Sequence, residues 1–165
     1  MTKSELAKLV AADIMQRDVV TVAPQDTLRD ALSLMTESHV TGLPVMDGRS
    51  KCVGLICASD ILSYEQEHAE ESAEANSEVA KHFNPDLQQW ESVRVSAFAL
   101  EEFGDVRVDE VMSSDLVTVE LETPVKEIAR RMTEIGVHRV LVLDEENHLL
   151  GIISAVDFVH LWAES

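Results

Sequence analysis

Two heptapeptides carry the same chemistry at the same spacing: Gly-Leu-Ile-Cys-Ala-Ser-Asp over 54–60 and Gly-Ile-Ile-Ser-Ala-Val-Asp over 151–157. Each runs an apolar, strand-like stretch into a thiol or hydroxyl (Cys57, Ser154) and then, three residues on, into a carboxylate (Asp60, Asp157). The plainer reading is local: the serine caps a helix, and the aspartate in its first turn is favoured by the helix dipole. The other is that the pair holds a ligand. Recurrence of the pattern after a glycine and two apolar residues favours the ligand.

The other chemistry-bearing residues are few. Arg139 opens a strand-like stretch, where a surface salt bridge is its ordinary role. In so acidic a chain, one well-placed arginine matters more than usual for an anionic group. His138 beside it titrates near neutral pH in the ordinary case. His39, His68, His82, His148 and His160 show no metal-ligand spacing, so no metal site is expected. There is no nucleophile–base–orienter set and no phosphate-binding loop signature, so no catalytic residue is assigned and an enzyme is not expected. Cys52 and Cys57 lie in one strand-like run with side chains on opposite faces, so they do not bridge locally. A reducing cytoplasm is the expected compartment.

The 165 residues carry a formal charge of −18 and are 45% hydrophobic, enough for one core or two small units sharing one. That charge argues against nucleic acid and anionic membrane as partners, because phosphate-rich surfaces call for a basic face. No apolar run approaches the roughly 18 residues of a membrane span, and no leader is expected.

These residues are positioned by a repeat. Ile14–Met35 lies over Val111–Met132 with Met15 on Met112, Thr21 on Thr118 and Met35 on Met132, and the register continues ungapped to Asp60 on Asp157. Such self-similarity is the mark of a duplicated unit. Each copy reads as a β-branched strand ("VVTV", "LVTV") and a helix with apolar positions at helical period. These are Leu28, Ala31, Leu32 and Met35 in one copy, and Val125, Ile128, Ala129 and Met132 in the other. Asp26 and Thr123 are expected as N-caps, with Pro124 at the first helical position. Two strands joined by the polar turns "DGRSK" and "DEENH" follow, then a second helix from Ala58 or Ala155.

The expected organisation is a short N-terminal helix (1–12), repeat 1 (13–63), an acidic helical insert (64–108) and repeat 2 (109–165). Within the insert, the Ala/Glu/Ser-rich stretch is expected to be an exposed helix to about His82, broken at Pro85. Apolar spacing then returns at Leu87, Trp90, Val93, Phe98 and Leu100.

The β-α-β-β-α order, the "LPV-x-D" stretch and the Gly-h-h-Ser-x-x-Asp segment resemble a tandem pair of CBS (cystathionine-β-synthase-type) domains over 13–63 and 109–162. The resemblance implies an α+β module with a pseudo-twofold axis and two clefts for adenosyl nucleotides. AMP, ADP or ATP is the first expectation, with S-adenosylmethionine, NAD or a cyclic dinucleotide as further members of the set. The aspartate would accept both ribose hydroxyls through charge-assisted bonds, and the helix-start amides would meet a phosphate. By position, the first cleft takes Asp157, Ser154 and Gly151 with Val40, Thr41, Gly42, Met15 and Val20. The glycine would leave room for close approach. The second takes Asp60, Cys57 and Ser59 with Val137, His138, Arg139, Met112 and Val117. Cys57 departs from the family's Ser/Thr and is a weaker hydrogen-bond partner; Ser59 stands as its substitute. His138–Arg139 matches the family's phosphate-binding pair. The resemblance implies a stand-alone regulatory module that forms a homodimer, through Leu28, Leu32, Val125, Ile128 and their neighbours, and acts on an effector protein. A structural dimerisation unit with empty clefts is the alternative.

Overall fold

A computed structural model of the chain describes residues 8–68, 77–84, 89–96 and 105–163. In chain order the elements are α1 (Ala11–Ile14), α2 (Leu28–Ser38), β1 (Gly42–Met46), β2 (Cys52–Cys57), α3 (Ala58–His68), β3 (Ser77–Asn84) and β4 (Gln89–Ser96). There follow α4 (Val108–Val111), β5 (Thr118–Val119), α5 (Val125–Ile135), β6 (Arg139–Leu143), β7 (Leu149–Ser154) and α6 (Ala155–Ala163). The fold is α+β, and its two halves repeat the same order. Most of the N-terminal helix expected over 1–12 lies outside the described residues.

In each half an antiparallel hairpin (β1–β2, β6–β7) carries the helices. The hairpin turns are built alike. Asp47 Oδ1 accepts the N–H groups of Arg49 and Lys51, and Asp144 Oδ1 accepts those of Glu146 and His148. These bonds hold both carboxyls below the usual range. Ser50 and Asn147 close the two turns in the left-handed region, at φ 61° and 67°.

The halves differ at their first strand. In repeat 2, β5 pairs parallel with β6, and Leu141 N–H donates to the Val117 carbonyl. Pro44 stands at the matching place in repeat 1 and has no N–H to give Val20. There the expected "VVTV" strand shrinks to one bridge, Val22 to Val45.

Both first helices begin one residue later than expected. Thr27, rather than Asp26, caps α2 by accepting the Asp30 N–H at 3.1 Å, and Pro124 is itself the N-cap residue of α5. Asp26 and Thr123 instead tie the preceding turns, accepting from the N–H groups of Ala23 and Glu120. The helices end alike in the left-handed region, His39 at φ 54° and Gly136 at φ 78°.

Leu28, Ala31 and Met35 bury against Leu43, Val45 and Ile56; Ile128 and Met132 bury in the second core with Val140 and Ile153, and Val125 is buried as well. This corrects the expected dimer face. Leu28, Val125 and Ile128 are buried within the chain itself. The exposed large apolar side chains include Ile135, Val156, Val159 and Trp162, three of them on α6. A third cluster, built on Cys52, Leu141 and Leu143, fills the seam between the repeats. Both cysteines are unpaired.

The insert also departs from expectation. A strand, not a helix, covers 77–84, and it pairs antiparallel with β4, Phe83 opposite Trp90. Valines at 79, 93 and 95 and the aromatic pair suit a pleated ladder, and Asn84-Pro85-Asp86 is turn chemistry between two strands as readily as a helix stop. Leu87, Phe98 and Leu100 of the expected apolar spacing lie outside the described residues.

The chain crosses between halves at the start of each repeat. Gln16 exchanges both backbone hydrogen bonds with Ile152 on β7, and Ser113 does the same with Leu55 on β2. The segment opening repeat 1 thus completes the sheet of repeat 2, and the reverse. Among the described residues no helix is long and apolar enough to cross a membrane.

Candidate functional site

The two aspartates sit at the third position of α3 and α6, and each accepts the N–H of the residue before its helix. Asp60 Oδ2 takes Cys57 N–H at 2.7 Å; Asp157 Oδ2 takes Ser154 N–H at 2.7 Å and the Ser154 hydroxyl at 2.8 Å. The capping role is therefore real, with the carboxylate rather than the serine doing the capping. The first helical N–H is met from the facing loop: Ala58 donates to the Thr41 carbonyl and Ala155 to the His138 carbonyl.

The second carboxylate oxygens part company. Asp157 Oδ1 accepts the Gln16 side-chain amide at 2.8 Å, and the residue is only 8% exposed. Ser113 stands at the position of Gln16 in the other half, and its side chain makes no such bond. The Asp60 carboxylate is met only by Cys57, through its N–H and its thiol, and Asp60 is half-buried. Gln16 was not a candidate from sequence. Its signal was the mismatch of Gln16 against Ser113 directly after two aligned methionines.

Arg139 joins the loops of both halves. Its guanidinium donates to the Thr41 hydroxyl at 2.6 Å and to the Cys57 sulfur at 3.6 Å, and it lies over Gly42. Burial pushes the Cys57 thiol up, and the arginine's positive charge opposes that rise. Arg139, Cys57 and Asp60, assigned together, are thus brought to one helix start. Thr41 and Gly42, assigned to the other cleft, share the same guanidinium. His138 and Ser59 are exposed, as is Val40 at 38%; Val137 is half-buried.

Met15 and Met112, expected at the clefts, lie against Gly151 and Gly54. A Cβ at Gly151 would lie 2.7 Å from Met15 Sδ and 2.8 Å from the Gln16 carbonyl; one at Gly54 would strike Met112 Sδ. Methionine and crossing backbone take the close approach that the glycine was expected to leave for a ligand. Val20 and Val117 pack on the cores of their own repeats. A groove of about 410 Å³ lies between α5 and α6, lined by Met132, Val137, His138 and Phe158 among others, with neither aspartate nor Arg139 in its walls. Among the described residues no group of three His, Cys, Asp or Glu side chains is placed to hold a metal ion.

The CBS domain family model matches residues 10–67 and 108–164, so the chain belongs to the CBS domain family as a tandem pair. It is 26% identical over 149 residues to the inosine-5'-monophosphate dehydrogenase of Methanocaldococcus jannaschii, a match covering 90% of this chain and 23% of the enzyme. It is 28% identical over 135 residues to CBSX2, a chloroplastic CBS domain-containing protein of Arabidopsis thaliana, covering 81% of this chain and 54% of that one. The chain thus spans only part of these relatives. A solved structure of CBSX2 in complex with AMP superposes with a TM-score of 0.67 at 24% identity, over 94% of this chain and 96% of that chain. The CBS pair of protein MJ0100, in complex with 5'-methylthioadenosine and S-adenosyl-L-methionine, superposes with a TM-score of 0.66 at 18% identity, over 94% and 97%.

Proposed function

We propose that the chain is a regulatory module that binds an adenosine nucleotide in the cleft of Asp60 and Arg139 and acts through self-association or a partner polypeptide. One observation carries this choice of cleft. Asp60 is met only by Cys57, through its N–H and its weakly bonding thiol, whereas Asp157 also holds the Gln16 amide and the Ser154 hydroxyl, and this leaves Asp60 a preorganised acceptor for ribose hydroxyls. Arg139 supports it as the cation beside the same helix start, where an anionic ligand needs local positive charge in a protein of −18. CBSX2 with AMP and MJ0100 with S-adenosylmethionine are pairs of the same fold whose ligands share the adenosyl group.

His138, Ser59, Val137, Met112 and Val117 complete the proposed cleft. The other cleft comprises Asp157, Ser154, Gly151, Met15, Val20, Val40, Thr41 and Gly42. No catalytic role is proposed for any of them. Calorimetric titration of the full chain with AMP, ADP, ATP, S-adenosylmethionine and NAD tests the reading. A ligand at a hundredfold its dissociation constant should add about 2.7 kcal/mol of stability. Absence of binding by all five would overturn it and favour the structural dimer, for which the apolar face of α6 speaks.

A further inference from the structure

We infer that Gln16 occupies the place of a ribose hydroxyl in the Asp157 cleft, so that each chain takes one nucleotide rather than two. The inference rests on the nucleotide reading above and adds its stoichiometry and the residue that sets it. Both clefts begin with the same backbone: a glycine under a methionine, a two-residue bridge to the crossing segment, and an aspartate accepting the N–H before its helix. What differs is the residue on the crossing segment next to that methionine.

In one half the Gln16 amide reaches Asp157 Oδ1 at 2.8 Å, and Ser154 fills Oδ2 twice. The carboxylate is satisfied and buried, at 8% exposure. A ribose arriving there must break a charge-assisted bond before forming its own, so the exchange gains little. In the other half Ser113 makes no such bond, and Asp60 is met only by Cys57. Gln16 itself is exposed and its backbone is held by Ile152, so the side chain acts as a lid on a fixed hinge.

Calorimetry on the full chain with AMP or ATP, whichever titrates, decides the matter, with thermal melts to confirm that each variant is folded. The wild type should bind one equivalent, weakened about 10- to 150-fold in Asp60→Ala and kept at its affinity in Asp157→Ala. Gln16→Ser, which installs the residue found at the related position, should bind two. Ser113→Gln should lose the equivalent that the wild type has. Two equivalents in the wild type, or a single equivalent in folded Gln16→Ser, overturns the role of Gln16 and leaves the nucleotide reading standing. No titration in either protein overturns the nucleotide reading itself.

Discussion

Arg139 lies across Gly42, the residue that occupies its own position in the other repeat. The backbones of the two halves match there, and one long side chain fills the space that two short ones would share. A Cβ on Gly42 would strike the guanidinium and come within 3.1 Å of the Cys57 sulfur. Gly42→Ala should therefore expel Arg139, with loss of its bond to Thr41, and lower stability by roughly 0.5–1.5 kcal/mol. In an Arg139→Ala background the same change should cost much less. Urea denaturation of the four proteins of the cycle measures the coupling.

The two aspartates should fail differently. Asp157→Ala strips acceptors from Ser154 and Gln16 and should cost on the order of 1.5–3 kcal/mol of stability. Asp60→Ala removes a capping bond and a weak thiol bond, both to Cys57, together worth about 1 kcal/mol. Its larger effect should be on nucleotide affinity, weakened about 10- to 150-fold. Melting temperature and calorimetric affinity, taken on the same samples, separate the two effects.

The paired helix ends make a second comparison. Repeat 2 closes α5 on Gly136, whereas repeat 1 holds His39 at φ 54°, a region that costs a residue with a Cβ roughly 1–2 kcal/mol. His39→Gly should raise stability by about 1 kcal/mol, and Gly136→Ala should lower it by a similar amount. Chemical denaturation midpoints report both.

Acid should act on the hairpin turns. Asp47 and Asp144 are held below their ordinary value of 3.8 by turn N–H groups, with His148 adding to the second. A lowered folded value means the contribution is complete above the ordinary value and is lost as pH falls through the folded one. The stability gap between the wild type and Asp144→Asn should hold at pH 5–7 and close below about pH 3.8. Denaturation midpoints across pH 2–6 test the sign; a gap that widens in acid would contradict it.

Self-association should depend on α6. Trp162, 76% exposed, and Val159, 63% exposed, lie on a helix with few polar side chains. Val159→Glu should shift the chain from dimer to monomer in light scattering at micromolar concentration without lowering its melting temperature by more than a degree or two. A wild type that is already monomeric would refute the dimer.

Much of this was legible because the duplication doubles every signal. Thr21, Leu28 and Met35 are weak markers singly, but with their counterparts they marked out the repeat whose helices, hairpins and helix starts bear Asp60 and Asp157. What escaped were single-residue breaks in the symmetry. Pro44 removes one N–H and with it a strand; Gln16 adds one amide and fills a carboxylate. The helix expected to His82 failed for another reason. Charge and alanine content favour a helix locally, but Ala80 and Phe83 found ladder partners in Val93 and Trp90, which are invisible to a local period.

The bridges of Gln16 to Ile152 and Ser113 to Leu55 have a consequence for how the chain folds. Each half obtains the last edge of its sheet from residues on the order of a hundred positions away, so neither half reaches its native state as an autonomous unit. Folding is complete only when the two halves have docked. Once docked, they are clipped reciprocally, and the covalent link between them carries little of the load. Its length is then nearly free to vary, since doubling a flexible connection costs only about 0.6 kcal/mol. The stretch between the repeats is where this architecture can accept new sequence without surrendering either cleft.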